Sequence, residues 1–566
     1  MSIDLKNNIC FSKEIYKFAR DCNIKVDFEN YFKSLATNNF SKFFCHHIFD
    51  RNTIGNDLYK NFCLLKMQEA GMDISSNIEN IFTYIPFTRS REKIKKVIYL
   101  KYFTILFYLF LKNLYYKIYY IIYLLKIKFE FRNKIPLNLL STNHVIFTFV
   151  DESLLLKDKF IDRYFPKICE LSNIDKKQIL LIAVLVGSAK KSINLEKIRN
   201  DFENAFIPEQ LVSILDIIFL YLYDLNIIFK CFYKIIFIDK LKNNFDFFIL
   251  KELLCAQPIV GGAACCGEGI IKKLKKMKIF NLRTFISSFE NLVYEKRCNL
   301  ALRKYYPECV IIGTQHSTII DTQLSNWPLD VEIQNGLCPD VVLSNGPKYI
   351  NVLKRMLSVC ENNIILKIGP TLRYNNNLSE KEIFKNHFKK EYCLVLGSID
   401  PYLTLRSITF VINYIGRILP AIEIVFKNHP MCALEKIKEN INQSKINFDI
   451  AQNINWLEMK NYNLEDLIFN ASFIFSYSQG SILDIISLGK TPILIGSDNS
   501  ITMVPIIDDD FNEILKVIFN ENDLGRIMQD YKDIKSHSIK IKNWYNEFYL
   551  SPEEMSISEL FFNGRF

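Results

Sequence analysis

The sequence predicts an α/β protein of two domains built on parallel sheets, with a helical, basic and aromatic insertion in its amino-terminal half. Three observations predict it. The chain has 566 residues, too many for one ordinary core. Short apolar runs alternate with amphipathic ones, loosely in the first half and regularly beyond Glu391. Around residue 110, lysines are interleaved with Tyr, Phe, Leu and Ile. Apolar residues make up 49% and charged residues 23% of the chain, a globular balance that excludes long disorder. No short period repeats, which excludes a solenoid.

The opening residues, MSIDLKNNICF, lack the basic and then apolar pattern of a secretory signal, so a cytoplasmic protein is expected. Its fifteen cysteines are scattered, with Cys265 and Cys266 the one adjacent pair and no CxxC. That usage suits reduced, buried thiols rather than a disulfide framework. Cys45, His46 and His47 are sequence neighbours, which cannot all face one ion on a regular element, so no metal is expected there.

Between Arg89 and Lys134 lie twelve basic residues against Glu92 and Glu130, an excess equal to the +10 formal charge of the whole chain. The remainder is close to neutral, so the overall charge does not argue for nucleic acid. Residues 101–129 are apolar and aromatic, but their longest uncharged run, Tyr102 to Leu111, is half of the roughly 20 residues a spanning helix needs. A segment at a membrane interface is expected, with anionic headgroups of the inner leaflet as partner. A buried helical hairpin with snorkelling lysines is the alternative. RNA is disfavoured, because base stacking wants exposed rings on a polar sheet. The second apolar stretch, 214–238, reads as a core helix.

In the carboxyl-terminal half, strands are predicted at 393–398, 423–430, 448–450, 473–478 and 491–496, with helices at 403–418, 434–441, 464–469 and 481–488 between them. The first half has similar units at 144–153, 179–189, 309–318 and 340–346, and a helical pattern at 289–306. The expected organisation is an amino-terminal α/β domain over 1–373 containing the 89–134 insertion, a linker at 374–390, a second α/β domain over 391–530, and a helical tail at 531–566.

Ligands of open parallel sheets collect at the carboxyl ends of strands, which directs attention to the turns. Gly397 and Ser398 end one strand. Lys427, His429 and Pro430 end the next, where a proline-initiated helix leaves N–H groups free to make an anion site. Ser476, Ser478, Gly480 and Ser481 open a helix with Asp484 one turn in, a set suited to phosphate or ribose, or to an ordinary N-cap. Upstream, Gln315, His316, Ser317 and Thr318 follow a strand, with His316 a candidate catalytic group. Glu290 and Glu295, five residues apart, would point about 140° apart on a helix, so one at most is expected to act. Asp151 is a further candidate base. The run at 260–270 has neither a Walker lysine nor GxGxxG, so triphosphate binding is not expected. Asp508, Asp509 and Asp510 lie beyond the last clear strand and are not taken as metal ligands.

The segments FENLVYEK, GTQHST, LSNG, LGSIDPY, KNHP and SYSQGSILD to GKTPILI, spread from Phe289 to Pro505, resemble bacterial surface-carbohydrate biosynthesis proteins, distant relatives of capsular polysaccharide, sialyl- and Kdo-transferases. The resemblance implies a GT-B-like fold, with two Rossmann-like domains facing a central cleft, and a metal-independent glycosyltransferase without a cofactor. It implies a nucleotide-sugar donor, CMP-linked in the sialyltransferases, bound by the carboxyl-terminal domain. A lipid-linked glycan acceptor would lie on the amino-terminal side, with the enzyme peripheral on the inner face of the membrane and no nucleic acid partner. His429 and Pro430 match the relatives' HP motif. Gln479 and Gly480 stand where their adjacent hydroxyl residues would be, and their acidic motif with a following glycine is absent. A teichoic-acid-type polyol-phosphate transferase and a non-catalytic scaffold are the alternative readings.

Overall fold

Strand β1 (His144–Asp151) divides its side chains between two cores, as a strand covered on both faces must. Val145, Phe147 and Phe149 enter one apolar cluster, and Ile146 and Val150 enter another. The computed structural model describes residues 5–36, 40–50, 57–72, 96–131, 139, 141–151, 160, 162–186, 191–238, 244–256, 262–316, 318–320, 322, 327–356, 364–372, 384–398, 401–418, 422–429, 434–443, 454–457, 462–476, 479–497, 501–505, 514–529, 538–552 and 555–563. The expected linker lies mostly outside these residues, as do the expected strand at 448–450 and Asp508 to Asp510.

The first sheet continues with β2 (Ile179–Val186), β3 (Ala205–Phe206), β4 (Thr284–Ser288), β5 (Val310–Thr314), β6 (Val341–Ser344) and β7 (Ile365–Ile368). Its spatial order is β3-β2-β1-β4-β5-β6-β7, with every pairing parallel. The second sheet holds β8 (Tyr392–Leu396), β9 (Glu423–Lys427), β10 (Ile454–Leu457), β11 (Phe473–Ser476), β12 (Ile493–Ile495) and β13 (Lys516–Ile518). Its order is β10-β9-β8-β11-β12-β13, again wholly parallel. Both sheets are therefore doubly wound, each reversing direction beside its first strand: between β1 and β4 in one, between β8 and β11 in the other.

The chain forms two compact units that interleave in sequence. One comprises Met1–Asp21, Ser317–Thr322 and Asn376–Tyr549, and carries the second sheet; the other comprises Cys22–His316, Gln323–Asn375 and Leu550–Phe566, and carries the first. The carboxyl-terminal Ile557 and Phe561 thus pack into the same apolar cluster as β1 and β2.

Strand β4 is a finding that the apolar pattern did not predict. Its sequence is TFISS, yet all five residues are buried. Two of its three hydroxyls have these partners: His144 Nδ1 lies 2.8 Å from Thr284 Oγ1, and Ser288 Oγ lies 3.0 Å from the Tyr294 hydroxyl. A second difference concerns 214–238. The helix Ile214–Tyr233 is buried only along one side, while Leu215, Phe219, Leu222 and Phe229 are exposed, so it is not the core helix expected. The insertion forms one helix, Lys96–Glu130, of 35 residues. It does not match a buried hairpin either, since its outward face is apolar.

The helix Val293–Tyr305 follows β4 and packs against the helix Gly267–Lys276. A side chain at Gly267 would place Cβ 2.5 Å from the carbonyl carbon of Arg297 and the nitrogen of Cys298, so backbone must meet backbone. Gly267→Ala should lower stability by about 1–3 kcal/mol or more, as overpacking does. Gly525→Ala meets nothing within 4 Å and should be neutral or stabilising by up to about 1 kcal/mol in its helix. Urea unfolding of the two variants checks the contrast.

Candidate active site

In the second sheet, the predicted turns gather at the edge where the strand order reverses. Gly397 follows β8, and its N–H donates to the Lys427 carbonyl on β9. A Cβ on Gly397 would lie 3.2 Å from the His429 nitrogen and 3.3 Å from Asn428 Cα, so the turns after β8 and β9 run side by side. The Ser398 N–H donates to Thr404 Oγ1, and that hydroxyl donates back to the Ser398 carbonyl, which fixes the entry to the helix Pro401–Ile418. After β11, Ser476 Oγ and Ser481 Oγ stand 2.7 Å apart at the start of the helix Gln479–Ser487. Gly480 lies in its first turn and Asp484 further along, where the Asp484 carbonyl accepts from Ser487 Oγ. Ser478 and Pro430 lie outside the described residues.

Lys427 departs from the expected anion site. It is buried, and its ammonium donates to the Tyr462 carbonyl at 2.8 Å. Burial pulls its pKa below the usual lysine value. Its charge is turned to a carbonyl of its own unit rather than to the expected anion site.

The first sheet carries the other cluster at the carboxyl edge around its reversal. Glu290 lies in the turn after β4, and its carboxyl contacts His316 Nε2, just beyond β5. The Tyr164 ring covers the imidazole at 4.7 Å. Behind them, Glu295 is buried and accepts from the backbone N–H groups of Glu290 (3.2 Å) and Leu292 (3.3 Å) and from the Tyr294 hydroxyl (2.9 Å). Burial, and next the charge of Glu290, push the Glu295 carboxyl up to about 8 against those hydrogen bonds.

This arrangement corrects the expectation that Glu290 and Glu295 diverge. That geometry assumed a helix running through both, whereas the helix begins at Val293 and Asn291 turns the chain with φ of 52°. Glu295 folds back over the helix start and meets the Glu290 backbone. It caps and positions, while Glu290, with its side chain 12% exposed against 6% for His316, is the accessible partner.

Asp151 ends β1 opposite Val186; its side chain lies outside the described residues. Gln315 is buried, and its Oε1 accepts from Asn345 N at 3.0 Å, a structural bond that holds the turns after β5 and β6 together. Thr318 is buried in the unit that carries the second sheet, and Ser317 is not described. The cavity beside Gln315 and His316 measures about 10 Å³, near the ~10–15 Å³ threshold for a single water.

Sequence reasoning missed Tyr164, Tyr294 and Asp162. Asp162 is buried, accepting from Thr148 Oγ1 at 3.0 Å and from the Tyr164 and Phe165 N–H groups, and burial pushes its carboxyl up to about 6. No short motif marks these residues; the signal available was the hydroxyl-rich TFISS run beside an acidic turn.

No family model matches the chain, and no curated protein matches it. Solved structures do. S. aureus MnaA with UDP shares 11% identity over 74% of this chain and 94% of that one, with a TM-score of 0.41. The UDP-GlcNAc 2-epimerase of Neisseria meningitidis bound to UDP-GlcNAc gives 12%, 74%, 98% and 0.38. The pneumococcal O-GlcNAc transferase GtfA in complex with UDP and GlcNAc gives 13%, 52%, 58% and 0.34. These likenesses are slight. The class of protein is defined by the chain's own topology, two doubly wound parallel α/β units.

Glu295 sets a testable pH dependence. Its folded pKa of about 8 lies above the unfolded value of 4.5, so the folded protein binds the proton more tightly. The stabilisation is complete below the unfolded pKa and is lost as pH rises through the folded one. Asp162 acts in the same direction but only up to about pH 6. Between about pH 6.5 and pH 8, wild-type stability should therefore fall by up to roughly 1.4 kcal/mol per pH unit. Glu295→Gln should flatten that slope in urea titrations.

Proposed function

We propose that the protein is a glycosyltransferase of bacterial surface polysaccharide biosynthesis, capsule or lipopolysaccharide, that moves a sugar from a nucleotide-activated donor to a lipid-linked or oligosaccharide acceptor on the inner face of the cell membrane. The observation that carries the reading is the convergence of Gly397, His429, Ser476 and Ser481 at the reversal edge of the second sheet. Such an edge offers helix-start N–H groups, hydroxyls and one imidazole, the chemistry that suits a nucleotide and its phosphates. The resemblance of the segments between Phe289 and Pro505 to surface-carbohydrate transferases supports the same reading.

In this mechanism the acceptor hydroxyl attacks the anomeric carbon, the bond from that carbon to the nucleotide phosphate breaks, and the hydroxyl proton passes to a general base. Glu290, with His316 against its carboxyl and the Tyr164 ring 4.7 Å from the imidazole, is the candidate base offered by the unit that carries the first sheet. His429 and the helix-start N–H groups neutralise the charge that develops on the leaving nucleotide. Preorganised groups of this kind supply the largest share of catalysis in many enzymes.

Two measurements check the reading. Titration of the full chain with CMP, CDP, UDP and GDP should show saturable binding of one nucleotide. His429→Ala should weaken it by about 1.5–3 kcal/mol, roughly ten- to a hundredfold, as loss of a hydrogen bond to a charged group does. Glu290→Gln should leave nucleotide affinity intact and lower turnover by about 10²–10⁴-fold, the usual range for a general base. Absence of binding to all four nucleotides contradicts the transferase reading and favours a scaffold.

A further inference from the structure

The helix Lys96–Glu130 is apolar on both its sides, with Leu106, Leu124 and Ile127 buried inward and a second apolar row facing out. Its inward row contains Asn113, whose Nδ2 donates to the Leu254 carbonyl at 2.6 Å, and the buried Lys117, which lies over the Tyr221 ring and is pulled below the usual lysine pKa by burial. The inward Tyr120 hydroxyl accepts from Ala263 N–H. Its outward row is Phe103, Phe107, Leu111, Ile118, Ile122 and Phe129, each between 47% and 77% exposed. The spacing is that of one helix face.

The helix Ile214–Tyr233 packs against it, with the Phe110 and Phe229 rings 6.2 Å apart, and carries a second stripe. Leu215, Phe219, Leu222, Phe229, Tyr233 and, in the continuing turn, Phe237 recur every three, four or seven residues and are 56% to 69% exposed. Two such rows of exposed large apolar side chains on neighbouring helices go beyond the singly scattered apolar residues of an ordinary soluble surface.

Charge identifies what covers this face. Lys112, Lys126 and Lys230 are exposed among these residues, and the helix Lys96–Glu130 carries a single acid, the exposed Glu130 at its carboxyl end. The two acids of the second helix are held in the structure: Asp216 caps it with Ser213, and Asp224 is buried against Arg297. A second copy would bring like charges together. Anionic lipid headgroups meet them, and the exposed Tyr108, Tyr115, Tyr116 and Tyr119 suit headgroup depth. A cavity of about 90 Å³ lined in part by Lys42, Tyr223, Asn226 and Lys230 adjoins the second stripe.

We propose that this two-helix face lies sideways in the headgroup and acyl boundary of an anionic bilayer, a monotopic attachment rather than a span. Among the described residues, no helix is long and apolar enough to cross a membrane. The inward row, packed on protein along the helix, leaves only the lateral face for lipid. The attachment stands independently of the nucleotide-binding reading.

Co-sedimentation of the full chain with vesicles tests it, comparing phosphatidylglycerol–phosphatidylcholine mixtures with phosphatidylcholine alone. The protein should bind the anionic vesicles, and bind the neutral ones at least tenfold more weakly. The double variant Ile118→Glu, Phe219→Glu and the triple variant Lys112→Glu, Lys126→Glu, Lys230→Glu should each lose at least tenfold in binding, with unchanged circular dichroism because all five positions are exposed. Sedimentation velocity without lipid should show the same oligomeric state for wild type and the apolar-face variant. Failure of the wild type to bind anionic vesicles, equal binding to neutral ones, or binding unmoved by the substitutions overturns the proposal. A wild-type dimer that Ile118→Glu, Phe219→Glu converts to monomer also overturns it, assigning the face to a second copy.

Discussion

Three consecutive ionisable residues, Glu295, Lys296 and Arg297, are buried in the first turns of one helix, and their partners come from across the unit that carries the first sheet. Arg297 donates to Asp224 at 2.8 Å and to the carbonyls of Cys45 and Cys265. Burial alone would raise the Asp224 carboxyl, but Arg297 and His47 hold it below the usual range. Lys296 meets Glu332 at 2.8 Å with both side chains fully buried, and Glu332 also accepts from Asn291 and the Leu329 N–H. Removing one partner of such a pair strands a charge and typically costs about 3–5 kcal/mol.

These pairs tie function-bearing parts to one another. Asp224 sits on the helix with the outward apolar stripe, so Arg297 connects the proposed membrane face to the helix that follows β4. Two residues earlier, Glu295 closes the start of that helix and sets the turn holding Glu290. Glycine at 267 is needed because the neighbouring helix approaches this one backbone to backbone. The ionic helix therefore fixes both the candidate base and the surface through which the unit would meet lipid.

Much of the sheet architecture was legible where strands are continuous apolar runs. The stretches ILLIAVLV, VIIGT, CLVL and FIFS all fall in strands. Reading failed where burial is satisfied by hydrogen bonds instead of apolar composition. TFISS is the central example: it forms the strand beside the reversal in the first sheet, and a hydropathy pattern registers it as a loop. The short edge strands β3 and β13 were missed because two or three residues cannot establish a period. At the candidate site, positions at strand ends were legible, but direction was not. Lys427 points to a carbonyl of its own unit, and Glu295 bends back to a turn that no helical projection could anticipate.

The central claim is that the reversal edge of the second sheet is the nucleotide site. Hydrogen–deuterium exchange on the full chain, with and without a saturating nucleotide, tests it most directly. The account predicts slowed exchange at Gly397 and Ser398, at Asn428 and His429, and at the helix start from Ser476 to Ser481, with little change along β12 and β13. Slowing confined to other segments, with these three turns unaffected at saturation, would contradict it.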